Sequence, residues 1–149
     1  MKKTLCFALL LSLLAQAKPY SNAAHHFRAD FEGKVVYNFN NSSDHGKLHE
    51  FKAGPSGRQG SYVVVLEKPY ARQNLLKWML SHEHGMLESE LKDSPCQGYS
   101  ALTWSGLDPT GTPVSVMFTG TRQRSYIVMC CDYDLAKQRR FLNSFHILP

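Results

Sequence analysis

Apolar positions change rhythm several times along this chain, and each change marks an element. The first is an almost unbroken run, Leu5 to Leu14, preceded by Lys2 and Lys3 and followed by Ala15-Gln16-Ala17. A spanning helix needs roughly 20 apolar residues, about double this run, so no membrane span is expected. A positive start, a short apolar run and a small-x-small ending predict a cleavable secretory signal over residues 1–17, with cleavage after Ala17. A later cut after Ala23 or Ala24 also fits the small, polar Ser21-Asn22-Ala23-Ala24. Cys6 stands too early in the run to be the lipidated cysteine at the end of a signal.

Beyond the signal, short extended segments dominate. His26 to Phe31 and Lys34 to Phe39 flank Glu32-Gly33, which predicts a tight hairpin. Asn40 to Gly46 is a polar loop, and Lys47 to Lys52 a further strand. Ser61-Tyr62-Val63-Val64-Val65-Leu66 is apolar on both faces and predicts a central strand. From Pro69 the period lengthens: Leu75, Leu76, Met79 and Leu80 share one helical face, and Gly85 closes a helix ending near His84. Strands over Gly98–Trp104, Pro113–Thr121 and Ser125–Asp132, joined by short links, predict an antiparallel meander. In its middle strand Val114, Val116 and Phe118 form the core face, opposite Ser115, Met117 and Thr119. Asp134 caps a last helix whose apolar stripe is Leu135, Leu142 and Phe145, with Phe141 beside them. No repeat or linker divides residues 18–149, so the expected architecture is one α+β domain, an antiparallel β-sheet covered by two main helices.

Three segments carry a likeness. Phe31-Glu32-Gly33-Lys34-Val35, Thr119-Gly120-Thr121-Arg122 leading to Tyr126, and the ending Arg140-Phe141-Leu142-Asn143-Ser144-Phe145 resemble a group of small exported bacterial proteins. The fold of that group is similar to PsbP, the extrinsic subunit of photosystem II. The resemblance spans nearly all of residues 25–148 and implies a PsbP-like α/β/α sandwich, with no shared enzyme activity and no site residues to carry over. This chain departs from the pattern in having few prolines after the second strand.

Charge narrows the function little. Lys2 and Lys3 supply two of the net +5 charges, so the exported chain keeps +3. Arg122 to Arg124 and Lys137 to Arg140 are the densest basic groups, too short for a nucleic-acid groove with interleaved stacking aromatics. Cysteine usage matters more in an oxidising compartment, because Cys96, Cys130 and Cys131 outlast the signal. Neighbours on a strand face opposite ways, so a disulfide would join Cys96 to Cys131 or to Cys130, unless the sheet sets them at opposite ends.

Catalytic signatures are sparse. Cys-x-x-Cys is absent, Ser56 in Gly54-Pro55-Ser56-Gly57 is no nucleophile elbow, and Gly54 to Gly60 lacks the Lys-Ser/Thr ending of a phosphate loop. Glu83, Glu88, Glu90 and Asp93 lie in a polar stretch that reads as solvated surface. His82-Glu83-His84 has a spacing of two where a helical metal motif wants three or four. The expected role is therefore non-enzymatic and without cofactors: binding an unknown protein or small-molecule partner in the periplasm or outside the cell, as a monomer or weak dimer. The alternative is a metal-handling protein or metal-dependent enzyme that gathers His82, His84, His45 and His49. Tyr20, Tyr37, Trp78, Trp104 and Tyr133 are aromatics that could line a binding groove, with the two tryptophans expected in the core.

Overall fold

The computed structural model describes residues 17–42, 46–55, 59–73 and 90–149. Ten strands appear among them in chain order: β1 (Lys18–Asn22), β2 (Phe27–Phe31), β3 (Val36–Ser42), β4 (Gly46–Ala53), β5 (Gly60–Leu66), β6 (Lys92–Asp93), β7 (Ala101–Leu107), β8 (Pro113–Gly120), β9 (Ser125–Cys131) and β10 (His146–Ile147). One helix, α1 (Leu135–Ser144), interrupts them before β10. A small sheet has the order β1-β2-β10 and a large one β3-β4-β5-β9-β8-β7-β6. Every pairing is antiparallel.

Alternation along the central strands builds two cores. Val63 and Val65 of β5 and Tyr126, Val128 and Cys130 of β9 face the small sheet and α1, where they meet Phe27, Phe31, Phe141 and Phe145. Tyr62, Val64, Leu66, Ile127 and Cys131 point the other way, to Leu102, Trp104, Val116 and Phe118. Each fully buried side chain of this size contributes about 1.5–3 kcal/mol, which explains why β5 and β9 hold the centre. The middle strand of the meander, β8, is also core on both faces, since Met117 and Thr119 are as buried as Val116 and Phe118.

A sheet covered by two main helices is not what forms. Strand accounts for 54% and helix for 12% of the described residues, with a second sheet lying where a helical layer was expected. Arg72 and Gln73 are helical, and residues 74–84 of the helix predicted from Pro69 lie outside the described residues. The predicted hairpin around Glu32-Gly33 does not form either. β2 pairs with β1 and β10 while β3 pairs with β4, so the chain crosses between sheets at residues 32–35. Among the described residues no helix is long and apolar enough to cross a membrane.

Helix α1 begins as predicted: Asp134 accepts from Ala136 N at 2.9 Å and Lys137 N at 3.2 Å. Its buried side differs from the predicted stripe, because Leu135 is exposed and Gln138 is buried beside Phe141. Lys137 ties the helix down between Glu32 at 2.9 Å and Asp132 at 2.8 Å.

Candidate functional site

Of the four histidines expected to gather around a metal, only His49 lies in the described residues; His45, His82 and His84 lie outside them. Register on β4 places His49 opposite Phe39 on one side and Val65 on the other, facing the small sheet, and it is buried. Both ring nitrogens are occupied. Nε2 lies 2.8 Å from Glu67 Oε1 and Nδ1 lies 2.9 Å from the Tyr37 hydroxyl. A carboxylate only accepts, so Nε2 donates to Glu67, while Nδ1 shares a hydrogen bond with the Tyr37 hydroxyl. Lys47 Nζ approaches Glu67 at 3.6 Å, and the His25 ring lies 4.1 Å from that of His49.

Charge around this chain of contacts is balanced by shifted pKa values. Burial, then the neighbouring His49 and Arg124, hold His25 below its ordinary value. Glu67 is lowered by the hydrogen bond from His49, with Lys47 adding to it against a smaller opposing effect of desolvation. Among the described residues no three His, Cys, Asp or Glu side chains are placed to hold one metal ion.

The expected bridge from Cys96 to Cys131 or Cys130 is not formed. Cys130 is level with Ser115 and, through it, Ser105. Cys96 pairs with Tyr99, six positions before Ser105 and thus about 20 Å along the strand direction, where a disulfide tolerates a Cα separation of about 7 Å. Cys131 points to the opposite core. Burial raises the Cys96 and Cys130 thiols above their ordinary values, which keeps both protonated and poor as nucleophiles.

A second region gathers more polar chemistry around open space. The turn from β8 to β9, the Pro69-Tyr70 segment and the stretch after β10 enclose a cleft of about 740 Å³. Tyr70, Tyr99, Tyr126, Arg122, Arg124 and His26 line it, and among the described residues no Asp or Glu side chain does. The turn is held from within: Thr121 N donates to Arg124 O at 2.8 Å, and the Thr121 hydroxyl accepts from Gln123 N and Arg124 N at 3.1 and 3.2 Å. Tyr70 N donates to Thr121 O at 2.9 Å, which docks the neighbouring segment on the turn. That approach requires Gly120, where a Cβ would lie 2.7 Å from Tyr70 Cβ and 2.4 Å from Arg124 O.

Tyrosines give the cleft its walls. Tyr126 is almost fully buried and donates to His25 O at 2.9 Å, and burial pushes the Tyr126 and Tyr70 hydroxyls up, so both stay neutral phenols. The Arg124 guanidinium donates from Nη2 to Ala24 O at 3.4 Å.

No family model matches this chain, and no curated protein matches it. A crystal structure of a protein from Bacteroides thetaiotaomicron VPI-5482 superposes with a TM-score of 0.47 at 9% identity. The match covers 90% of this chain and 49% of that one, so the chain spans about half the length of that protein.

Arg122 and Tyr126 were visible in the sequence as part of a turn, and their role in a cleft was not, because its other walls come from residues 26, 70 and 99. Of the other singled-out aromatics, Trp104 is core and donates to Glu90 at 2.8 Å, Tyr20 packs against Phe27, Tyr37 and Tyr133 are exposed, and Trp78 lies outside the described residues.

Proposed function

We propose that this chain is an exported, non-enzymatic domain that binds a small anionic molecule with a flat apolar body in the cleft beside the β8–β9 turn. The carrying observation is that three tyrosines and two arginines line one open space of about 740 Å³, with no Asp or Glu side chain among the described residues that line it. That volume is in the range of small-molecule sites, typically about 300–1,000 Å³. A guanidinium recognises carboxylate or phosphate through paired N–H donors, and phenol rings supply flat apolar area. Export rests on the signal read at residues 1–17, and the protonated thiols of half-buried Cys96 and buried Cys130 favour a binding role over nucleophilic chemistry.

The test uses the chain starting at Lys18, with benzoate, naphthoate, inorganic phosphate and neutral naphthalene derivatives in a thermal-shift and calorimetric panel. An aromatic anion should raise Tm in a saturable way by mass action. Arg122→Ala combined with Arg124→Ala should weaken it about 10- to 100-fold, the loss of one or two charge-assisted bonds. A panel with no saturable shift, or a shift that the double variant retains, rules the reading out.

A further inference from the structure

Strand edges in this protein are managed unequally. The two sheets expose four edge strands among the described residues, and an edge presents unpaired N–H and C=O groups that invite another strand. Three are blunted in recognised ways. β6 and β10 are two residues long, β6 is Lys92-Asp93, and β1 carries Lys18 and Pro19, the second of which cannot donate to a ladder. β3 has none of these devices. It is seven residues long, its sequence Val-Tyr-Asn-Phe-Asn-Asn-Ser holds neither charge nor proline, and Val36, Tyr37 and Phe39 are 52%, 49% and 53% exposed.

Its sequence is also compatible with itself in reverse. Centred on Phe39, an antiparallel copy sets Phe39 against Phe39, Asn38 against Asn40 and Tyr37 against Asn41, an isologous pairing with an aromatic meeting its own copy on the axis and asparagines facing asparagines beside it. Each amide is both donor and acceptor, so facing asparagines can bond reciprocally. Asn38 Nδ2 already donates to Glu50 Oε1 at 3.1 Å, which orients that side chain. On the other face Tyr37 and Phe39 extend the aromatic row that includes Phe51 beyond the small sheet. The chain is net positive, and residues 35–43 are an uncharged stretch where two copies meet without like charges opposed.

We infer that β3 is a homodimerisation edge: two copies join β3 to β3 antiparallel about Phe39, giving one continuous sheet across the dimer. Pairing at the edge leaves the cleft beside the β8–β9 turn free, since that turn lies on the far side of β5 and β9 from β3.

Sedimentation equilibrium of the chain starting at Lys18 should show a reversible monomer–dimer equilibrium. Phe39→Lys and Phe39→Glu each place like charges directly opposite on the axis and should be folded monomers by circular dichroism. Mixing them opposes unlike charges, so a heterodimer should form that neither variant forms alone. Asn38→Ala, which leaves the axis uncharged, serves as a second readout and should weaken dimerisation while keeping the far-ultraviolet spectrum. The inference is overturned by a wild-type chain that stays monomeric across the concentration range, by charge variants that remain dimers, or by a mixture that stays monomeric.

Discussion

Single residues settle where α1 sits. Gln138 is 1% exposed, and its amide serves three partners: Nε2 donates to Pro113 O at 2.9 Å and to Asp132 O at 2.6 Å, while Oε1 accepts from Ser115 at 2.6 Å. A glutamine at helical spacing reads as surface, so the predicted stripe passed over it in favour of Leu135, which is exposed. The reason is that the start of α1 packs over the Pro113 and Asp132 carbonyls at strand ends, where a polar side chain serves better than an apolar one. Gln138→Leu removes the donor from two carbonyls and the acceptor from Ser115. It should cost about 1–3 kcal/mol, read as a lower urea midpoint, although it makes the helix more apolar. A variant as stable as the wild type would show that these bonds add nothing.

At the scale of elements, the readable signals were caps and two-sided apolar runs. Asp134 was legible because an N-cap acts on backbone N–H groups two and three residues away, and Asp134→Ala should cost about 1 kcal/mol, with the urea slope unchanged. Its contact with Arg140, 3.8 Å away at an exposed position, adds little to that figure. β5 was legible as an unbroken β-branched run apolar on both faces, and the β7–β8–β9 meander as extended apolar segments of seven or eight residues joined by short links. β1 and β10 were not, since Lys18-Pro19-Tyr20-Ser21-Asn22 and a two-residue strand carry no such alternation and are extended only because β2 lies between them. The false hairpin has the same origin: a turn signal at Glu32-Gly33 is local, and β2 found better partners in β1 and β10.

Across the whole molecule, the turn before β2 is where the two sheets meet and where acid should loosen them. His25 rests against His49 of the large sheet, and its carbonyl takes the Tyr126 hydroxyl. Because the folded state holds His25 below its ordinary 6.5, the unfolded chain binds that proton more readily, and stability falls as pH drops below 6.5 toward the lowered folded value. Glu67 acts in a lower window: its depressed pKa contributes stability above its ordinary 4.5 that is lost as pH falls through the folded value. A Tm scan should therefore decline in two stages, and His25→Gln should remove the upper one; a wild-type Tm that is flat from pH 7 to 5 contradicts this. By itself the sequence determined the strand-rich centre, the meander, the capped final helix and the expectation of export, all of which rest on periodicity or on contacts a few residues apart. Only the tertiary structure decided that a second sheet covers the first, that Cys96 and Cys130 sit at opposite ends, and that residues 26, 70, 99, 122–124 and 126 share one cleft. A strand's alternation dictates which side chains are buried, whereas its backbone donors and acceptors can be satisfied by any other strand, so the partner is chosen by the packing of the whole chain.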